Sequence, residues 1–426
     1  MARTSRLIPF LLLPLVIGAC SGPNTSPAET GDSEPSPLLY VWAADVDAAE
    51  GDSDFLMVID VDPESATYGS VISSAPVGSA GNDPHHAEPV APRDGLLFAN
   101  GFEGNRTFLF DLSDPMAPRM ERELPAIDGY SYVHSFLRLS SGDVLATVQH
   151  GDGRSEDDVG GLARFSPRGE LIQVSSAVDV EAGFPAVRPY ALQTFEEQDR
   201  VVTSSFAMSL ERSANVVQVW RLSDLELLAT VGLPELAPAS EPLCHIDEFA
   251  MGEDCSPDRI GGHDRPFEVR ALSDGSAILN TVACGFYRVS DLTSDPRVEA
   301  LLNWSEEVGC MIPTIVGDHY VIPNMFMNYI ATLDVSDPTR LTEVTRAPVE
   351  DGTMPHWMQV DEGTNRVVLS GGTGEAPMLR MYEVDAETGA LVLDEAFAEA
   401  FDMARTDWPH GPTGLAMPHA ALFGKR

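Results

Sequence analysis

Lysine is nearly absent from this chain: Lys425 is the only one. With 26 basic residues against 66 acidic ones, the net charge is −40. Such a surface repels nucleic acid and anionic lipid headgroups, which argues against any phosphate-binding role. The acids are scattered along the whole sequence, so they read as solubility rather than as one acidic patch. Cysteine is scarce as well, five in all and none in CxxC spacing, which removes zinc knuckles and thioredoxin-like motifs. GxSxG is missing, as is GxGxxG after a strand, so neither a serine-hydrolase elbow nor a nucleotide cofactor finds support. No run reaches the roughly 20 apolar residues a spanning helix requires. Helical periodicity is weak except over Asp394 to Ala404, read as a short surface helix or loop.

The first residues carry Arg3 and Arg6, then an apolar run from Leu7 to Ile17, then Gly18-Ala19-Cys20. This order resembles a bacterial lipoprotein signal. The resemblance implies a signal peptide over 1–19, a lipidated Cys20, and an exported chain anchored by lipid in the cell envelope. Residues 20–37 are rich in Ser, Pro, Gly and acids and read as a flexible tether. In an oxidising compartment the other four cysteines allow three pairings. The preferred one joins Cys244 to Cys255 around an acidic loop, and Cys284 to Cys310.

The remainder, residues 38–426, carries a repeat. A hydrophobic residue, a charged residue, an aliphatic or aromatic residue, then Ser or Asp near a turn former recurs seven times. The charged members are Asp60, Asp111, Arg164, Arg221, Arg288, Asp334 and Glu383, spaced 46 to 67 residues apart. Between them lie strand-like runs such as Leu96-Leu97-Phe98-Ala99 and Val144-Leu145-Ala146-Thr147-Val148, several preceded by a turn signal such as Ser141-Gly142. Periods of this length in a strand-rich chain indicate a propeller. The sequence therefore predicts one all-β domain, a seven-bladed β-propeller. A functional site in such a fold draws one or two residues from each of several blades.

The histidines suit that expectation. His85 and His86 are adjacent, bracketed by Pro84 and Pro89. On a regular strand two neighbours face opposite sides, so the pair can meet one ligand only where the backbone is irregular; a rim loop is the expectation. His134, His263, His356, His410 and His419 are dispersed among the repeats, and His150 is ambiguous. His245 and His319 read as surface residues. Imidazole suits copper, zinc or iron, and thioethers nearby would favour Cu(I); Met327, Met354, Met358 and Met417 lie near these segments.

Several segments resemble the selenium-binding protein family, whose members include methanethiol oxidases. Residues 53–69, containing Val61-Asp62-Pro63 and Tyr68-Gly69, look like that family's opening strand and turn. Further similar runs are His134 to Val144, Pro266-Phe267-Glu268-Val269-Arg270, Gly309 to Pro338, and Gly411 to His419. The resemblance implies a copper site near the propeller axis, with His85, His86, His134 and His419 as ligands and Glu268 and Arg270 as supporting residues. It also implies oxidation of methanethiol by dioxygen and water to formaldehyde, hydrogen sulfide and hydrogen peroxide. Glu88 or Asp83 is the guessed proton acceptor. The partners expected are therefore a small thiol and O2, in a monomer or small homo-oligomer.

The chain also departs from the family pattern. A cysteine of some relatives is Gly69 here, a second histidine after His134 is Leu137, and a later histidine is Met327. His356 stands where relatives often have glutamine. Two other readings remain open: a non-catalytic propeller that binds metal or a partner, and a lactonase-like propeller hydrolase, for which no calcium cage can be assembled. If the N-terminal resemblance holds, Cys20→Ala moves the protein from the membrane to the soluble fraction and abolishes fatty-acid labelling. Unchanged fractionation would overturn the lipid anchor.

Overall fold

A computed structural model describes residues 35–46, 52–92, 95–151, 158–208, 213–236, 262–305, 307–350, 352–373, 376–412 and 414–424. Cys20, the signal segment and the Cys244–Cys255 pairing lie outside the described residues. Seven four-stranded antiparallel sheets form a ring of blades. Each of the seven repeat residues found in the sequence belongs to the third strand of its blade, counted outward from the axis. The repeat reads as strand ends because each blade turns there toward its exposed outer strand. Those outer strands, such as Arg119–Glu123 and Thr342–Pro348, are largely solvated.

The ring closes by sharing. In blade 1 the C-terminal strand Ala416–Gly424 lies innermost, followed outward by Leu38–Asp45, Phe55–Asp60 and Val71–Pro76. The first and last described strands therefore pair in one sheet. Ser36 and Pro37, at the end of the expected tether, already belong to the propeller. The Ser36 N–H donates to Asp361 Oδ2 at 2.8 Å, and the Pro37 carbonyl accepts from Val61 N–H at 2.8 Å. Arg366 ties blade 7 to blade 1 by donating to the Val61 and Ser36 carbonyls at 2.6 and 2.5 Å. The short helix is Glu395–Ala400, capped by Asp394, and it buries Phe397 against blade 1. Cys284 and Cys310 form a disulfide with Cα atoms 5.2 Å apart. Among the described residues no helix is long and apolar enough to cross a membrane.

The innermost strands carry the feature that matters for function. In blade 2 the strand Pro84–Ala87 pairs Pro84 with Gly101 and Ala87 with Ala99, so His85 and His86 together oppose Asn100 alone. This is a β-bulge, an extra residue that breaks the strict alternation of side chains and re-aims them. The expected rim loop is instead a bulged inner strand. Proline brackets made the backbone irregular, as the sequence implied, but Pro84 occupies a strand start, where it needs no ladder N–H.

The device repeats. Bulges place His419 with Ala420 in blade 1, His134 with Ser135 in blade 3, Tyr190 with Ala191 in blade 4, and Phe267 with Glu268 in blade 5. In blade 7 the extra residue is His356. Asp83, Tyr132, Arg265 and Met354, each preceding one of these inner segments, adopt positive φ of 59°, 62°, 64° and 43°. Non-glycine residues are seldom found there, and the surrounding packing must hold them.

A polar side chain on the second strand secures each of several bulges. Asn100 accepts the His86 N–H at 2.6 Å and donates to the Val133 carbonyl of the next blade at 2.8 Å. Thr147 accepts from Ser135 N–H at 3.0 Å and donates to Tyr190 carbonyl at 2.6 Å. Ser204 likewise accepts from Ala191 N–H at 3.1 Å and donates to Phe267 carbonyl at 2.5 Å. Asn280 donates onward to Cys310 and Met311 carbonyls at 3.1 and 3.2 Å, and Ser370 to the His419 carbonyl. Leaving a buried polar group unpaired costs about 1–3 kcal/mol. Asn100→Leu strands two backbone groups and should therefore destabilise the protein by about 2–4 kcal/mol in urea unfolding. A variant as stable as the parent would show that the bulge does not depend on Asn100.

Candidate metal centre

Bulges on four blades bring five imidazoles into one layer across the propeller axis. Ring centroids lie 4.8 Å apart for His85 and His86, 4.1 Å for His85 and His419, and 4.1 Å for His86 and His134. His356 meets His419 at 4.6 Å. One ring nitrogen from each of His85, His86 and His134 falls within 4.8 Å of the other two. Tyr190 packs on His134 at 4.0 Å, and the Trp357 ring stands edge-on to His86 at 4.9 Å.

Hydrogen bonds orient the rings. His134 Nδ1 lies 3.1 Å from the Tyr190 carbonyl oxygen, which can only accept. Nδ1 must then carry the proton, leaving the Nε2 lone pair of a neutral ring free to coordinate. Ser135 Oγ bridges His134 Nδ1 and His86 Nδ1, at 3.0 Å from each. The Nε2 atoms of His85, His86 and His134 and both ring nitrogens of His419 are buried and have no hydrogen-bond partner among the described residues.

Those five orphaned nitrogens, at about 1–3 kcal/mol each, would oppose a total stability that is commonly only about 5–15 kcal/mol. A layer built this way is arranged for a ligand. The donor set is all imidazole, which fits copper, zinc or iron and lacks the oxygens that calcium or magnesium require. Burial holds the rings neutral, the form that coordinates. His85, His86 and His419 titrate well below the ordinary imidazole range through burial and mutual repulsion. His134 is pushed down to about 3 and His356 to about 4, both chiefly by burial.

The layer separates two mouths of the central channel. On one side His85, His356 and His419 floor a cavity of about 420 Å³ whose walls are mainly apolar. On the other, His86, Ser135 and Trp357 face a cavity of about 440 Å³ rich in charge. Asp83 lines the apolar mouth, and burial, with Glu103 and Asp54 nearby, raises its carboxyl to about 7.

Glu88 lies on the charged side and is committed elsewhere. Its two oxygens accept from Arg138 Nε and Nη2, both at 2.8 Å, and one also accepts the Phe98 N–H at 2.9 Å. That pairing corrects the guess of Glu88 as proton acceptor, because a carboxylate held bidentately by a guanidinium is a poor base. Glu268 and Arg270 also sit at the charged mouth, paired at 2.5 Å, with Glu268 Oε1 buried and without a hydrogen-bond partner among the described residues. Leu137 lines this mouth too.

Other expectations scatter. Met354 and Met417 line the apolar mouth, whereas Met327 is exposed and Met358 is buried between blades 6 and 7. His319 is not a surface residue but is buried on the second strand of blade 6. His150 bonds Arg188, His263 accepts from Leu236 N–H, and His410 contacts Ser74, all away from the layer. Sequence reading missed Tyr190, Ser135 and Trp357. A usable signal was present, since proline precedes an aromatic or histidine at Pro84-His85, Pro189-Tyr190, Pro266-Phe267, Pro355-His356 and Pro418-His419, the starts of five inner bulges.

The buried neutral rings set an acid limit. His134 folded at about 3 lies below its ordinary 6.5, so the unfolded chain takes up a proton that the folded chain refuses. Stability from this ring is complete above pH 6.5 and is lost as pH falls toward 3. Metal-free protein should lose up to about 1.4 kcal/mol per pH unit for each such ring in that window. Urea midpoints between pH 4 and 7.5 should show a shallower slope for His134→Gln; equal slopes would refute the assignment.

Known proteins share this outline. No family model matches the chain. It is 26% identical over 234 residues to a methanethiol oxidase from Hyphomicrobium sp, covering 50% of this chain and 52% of that protein. It is 30% identical over 204 residues to a methanethiol oxidase from Ruegeria pomeroyi, covering 44% of each. The chain thus spans about half the length of these curated relatives. Among solved structures, a hypothetical selenium-binding protein from Sulfolobus tokodaii superposes with TM-score 0.68 at 13% identity, over 92% of this chain and 94% of that one. The periplasmic gluconolactonase of Pseudomonas aeruginosa shares the fold with TM-score 0.57 at 15% identity, over 83% and 93%. The chain is thus similar over about half its length to methanethiol oxidases, and in fold to a selenium-binding protein.

Proposed function

We propose that this propeller is a copper-dependent thiol oxidase, converting methanethiol with O2 and water to formaldehyde, hydrogen sulfide and hydrogen peroxide. The observation that carries the reading is the layer of buried, neutral imidazoles with unpartnered nitrogens. His85, His86, His134 and His419 would hold the ion, with His356 beside His419. Copper, when bound, supplies a Lewis acid that acidifies the thiol and an acceptor for electrons.

The chain's own residues do the rest. The Tyr190 carbonyl and Ser135 lock ring orientation and tautomer at His134, so coordination needs no reorganisation. Asp83, titrating near 7 in the mouth floored by His85, can take up the thiol proton at neutral pH. The apolar walls of that mouth exclude water, and the charged mouth opposite gives water access to the His86 side. Export through a lipid anchor at Cys20 belongs to the same proposal.

The lactonase-like alternative is supported only by fold. Among the described residues the group able to hold a metal is histidine, not a carboxylate cage. Metal analysis of the purified protein should find about one copper per chain, lost in His85→Ala or His86→Ala, with O2 uptake on methanethiol lost in parallel. Protein that binds no copper and consumes no O2 would sink the oxidase reading, and stoichiometric calcium would favour the hydrolase.

A further inference from the structure

The apolar mouth is far larger than methanethiol needs. A molecule with two non-hydrogen atoms displaces on the order of 100 Å³ or less, judged against about 30 Å³ for a water. Most of the 420 Å³ cavity would stay unfilled. Cavities of roughly 300–1,000 Å³ ordinarily receive ligands of many atoms. The walls also have a consistent chemistry. Met208, Met311, Met325, Met354 and Met417 all line this one mouth, with Phe326 among several phenylalanines. Methionine is soft, polarizable and adaptable, a side chain that conforms to apolar ligands of varied shape. Asp83 and Arg265, of opposite sign when ionised, are the charged lining residues, and the remaining wall offers an ionic tail no partner.

We propose that the methionine-lined mouth binds the tail of an uncharged primary thiol of about four to eight carbons, alkyl or arylmethyl, with its sulfur directed to the histidine layer. The proposal rests on the thiol-oxidase reading for the reaction. One primary thiol reacts with one dioxygen and one water to give one aldehyde, one hydrogen sulfide and one hydrogen peroxide. The C–S bond breaks, the carbon becomes an aldehyde whose oxygen comes from water, and dioxygen accepts two electrons and two protons. Peptidic thiols such as glutathione are disfavoured, because their amides and carboxylates would be desolvated against thioethers and rings without partners. The charged mouth, lined by Glu88, Arg138, Glu268, Arg270 and Glu362, offers no comparable apolar wall.

Two series test this. Calorimetry on chelator-treated protein with methyl alkyl sulfides of increasing length reads the cavity without turnover. Oxygen uptake by copper-loaded protein with methanethiol through hexanethiol, and with glutathione, reads the reaction. Sulfide Kd and thiol KM should each fall roughly fourfold per added methylene until the cavity is full. Glutathione should not be oxidised. Val308→Trp, which adds bulk at a partly buried lining position, should flatten both series. Sulfide affinity that is flat or weakens with length overturns the proposal, as does oxidation of methanethiol without binding of longer thiols. Length-dependent sulfide binding in a protein that oxidises no thiol overturns the oxidase reading, and the thiol assignment with it, while leaving the apolar cavity intact.

Discussion

The bulge in six of the seven inner strands, in several held by a polar side chain from the strand behind it, is the constraint on which this structure depends. A propeller blade built of regular strands would present only alternate side chains to the axis. By setting two residues against one, the chain turns His85 and His86 toward a common centre, and does the equivalent with His134, His356 and His419. Asn100, Thr147, Ser204, Asn280 and Ser370 also donate to the neighbouring blade. The bonds that shape the site are thus bonds that hold the ring together. Site geometry and fold stability are coupled, because the same buried side chains serve both.

Much of the fold was legible because a propeller writes its period into its strand ends. The marks from Asp60 to Glu383 all belong to third strands, where the sequence must supply a turn after a buried run. The closure of blade 1 was not legible. Pairing of Leu38–Asp45 with Ala416–Gly424 joins segments hundreds of residues apart, and no local pattern distinguishes it from an ordinary hairpin neighbour.

The candidate site was legible in its histidines and not in its supports. Adjacent His85 and His86 announce an irregular backbone, since a regular strand would waste one of them. Ser135 and the Tyr190 carbonyl act through positions that any small or backbone group can occupy, so residue type carries little signal. Glu88 was misread for a related reason: its neighbour in sequence is the histidine pair, but its neighbour in space is Arg138, fifty positions away. Proximity along a strand does not place two side chains on one side of it.

The two mouths differ in the rings that face them. Leu137 and Trp357 line the charged mouth with His86. His356 floors the apolar mouth beside His419. Because Trp357 follows His356 and packs against His86, one bulge in blade 7 places a ring on each side of the layer. An ion held there would have more nitrogen donors facing the apolar mouth than facing the charged one. On the thiol-oxidase reading proposed above, that asymmetry favours chemistry on the apolar side, where water is scarce and a weakly polar sulfur compound is least costly to desolvate.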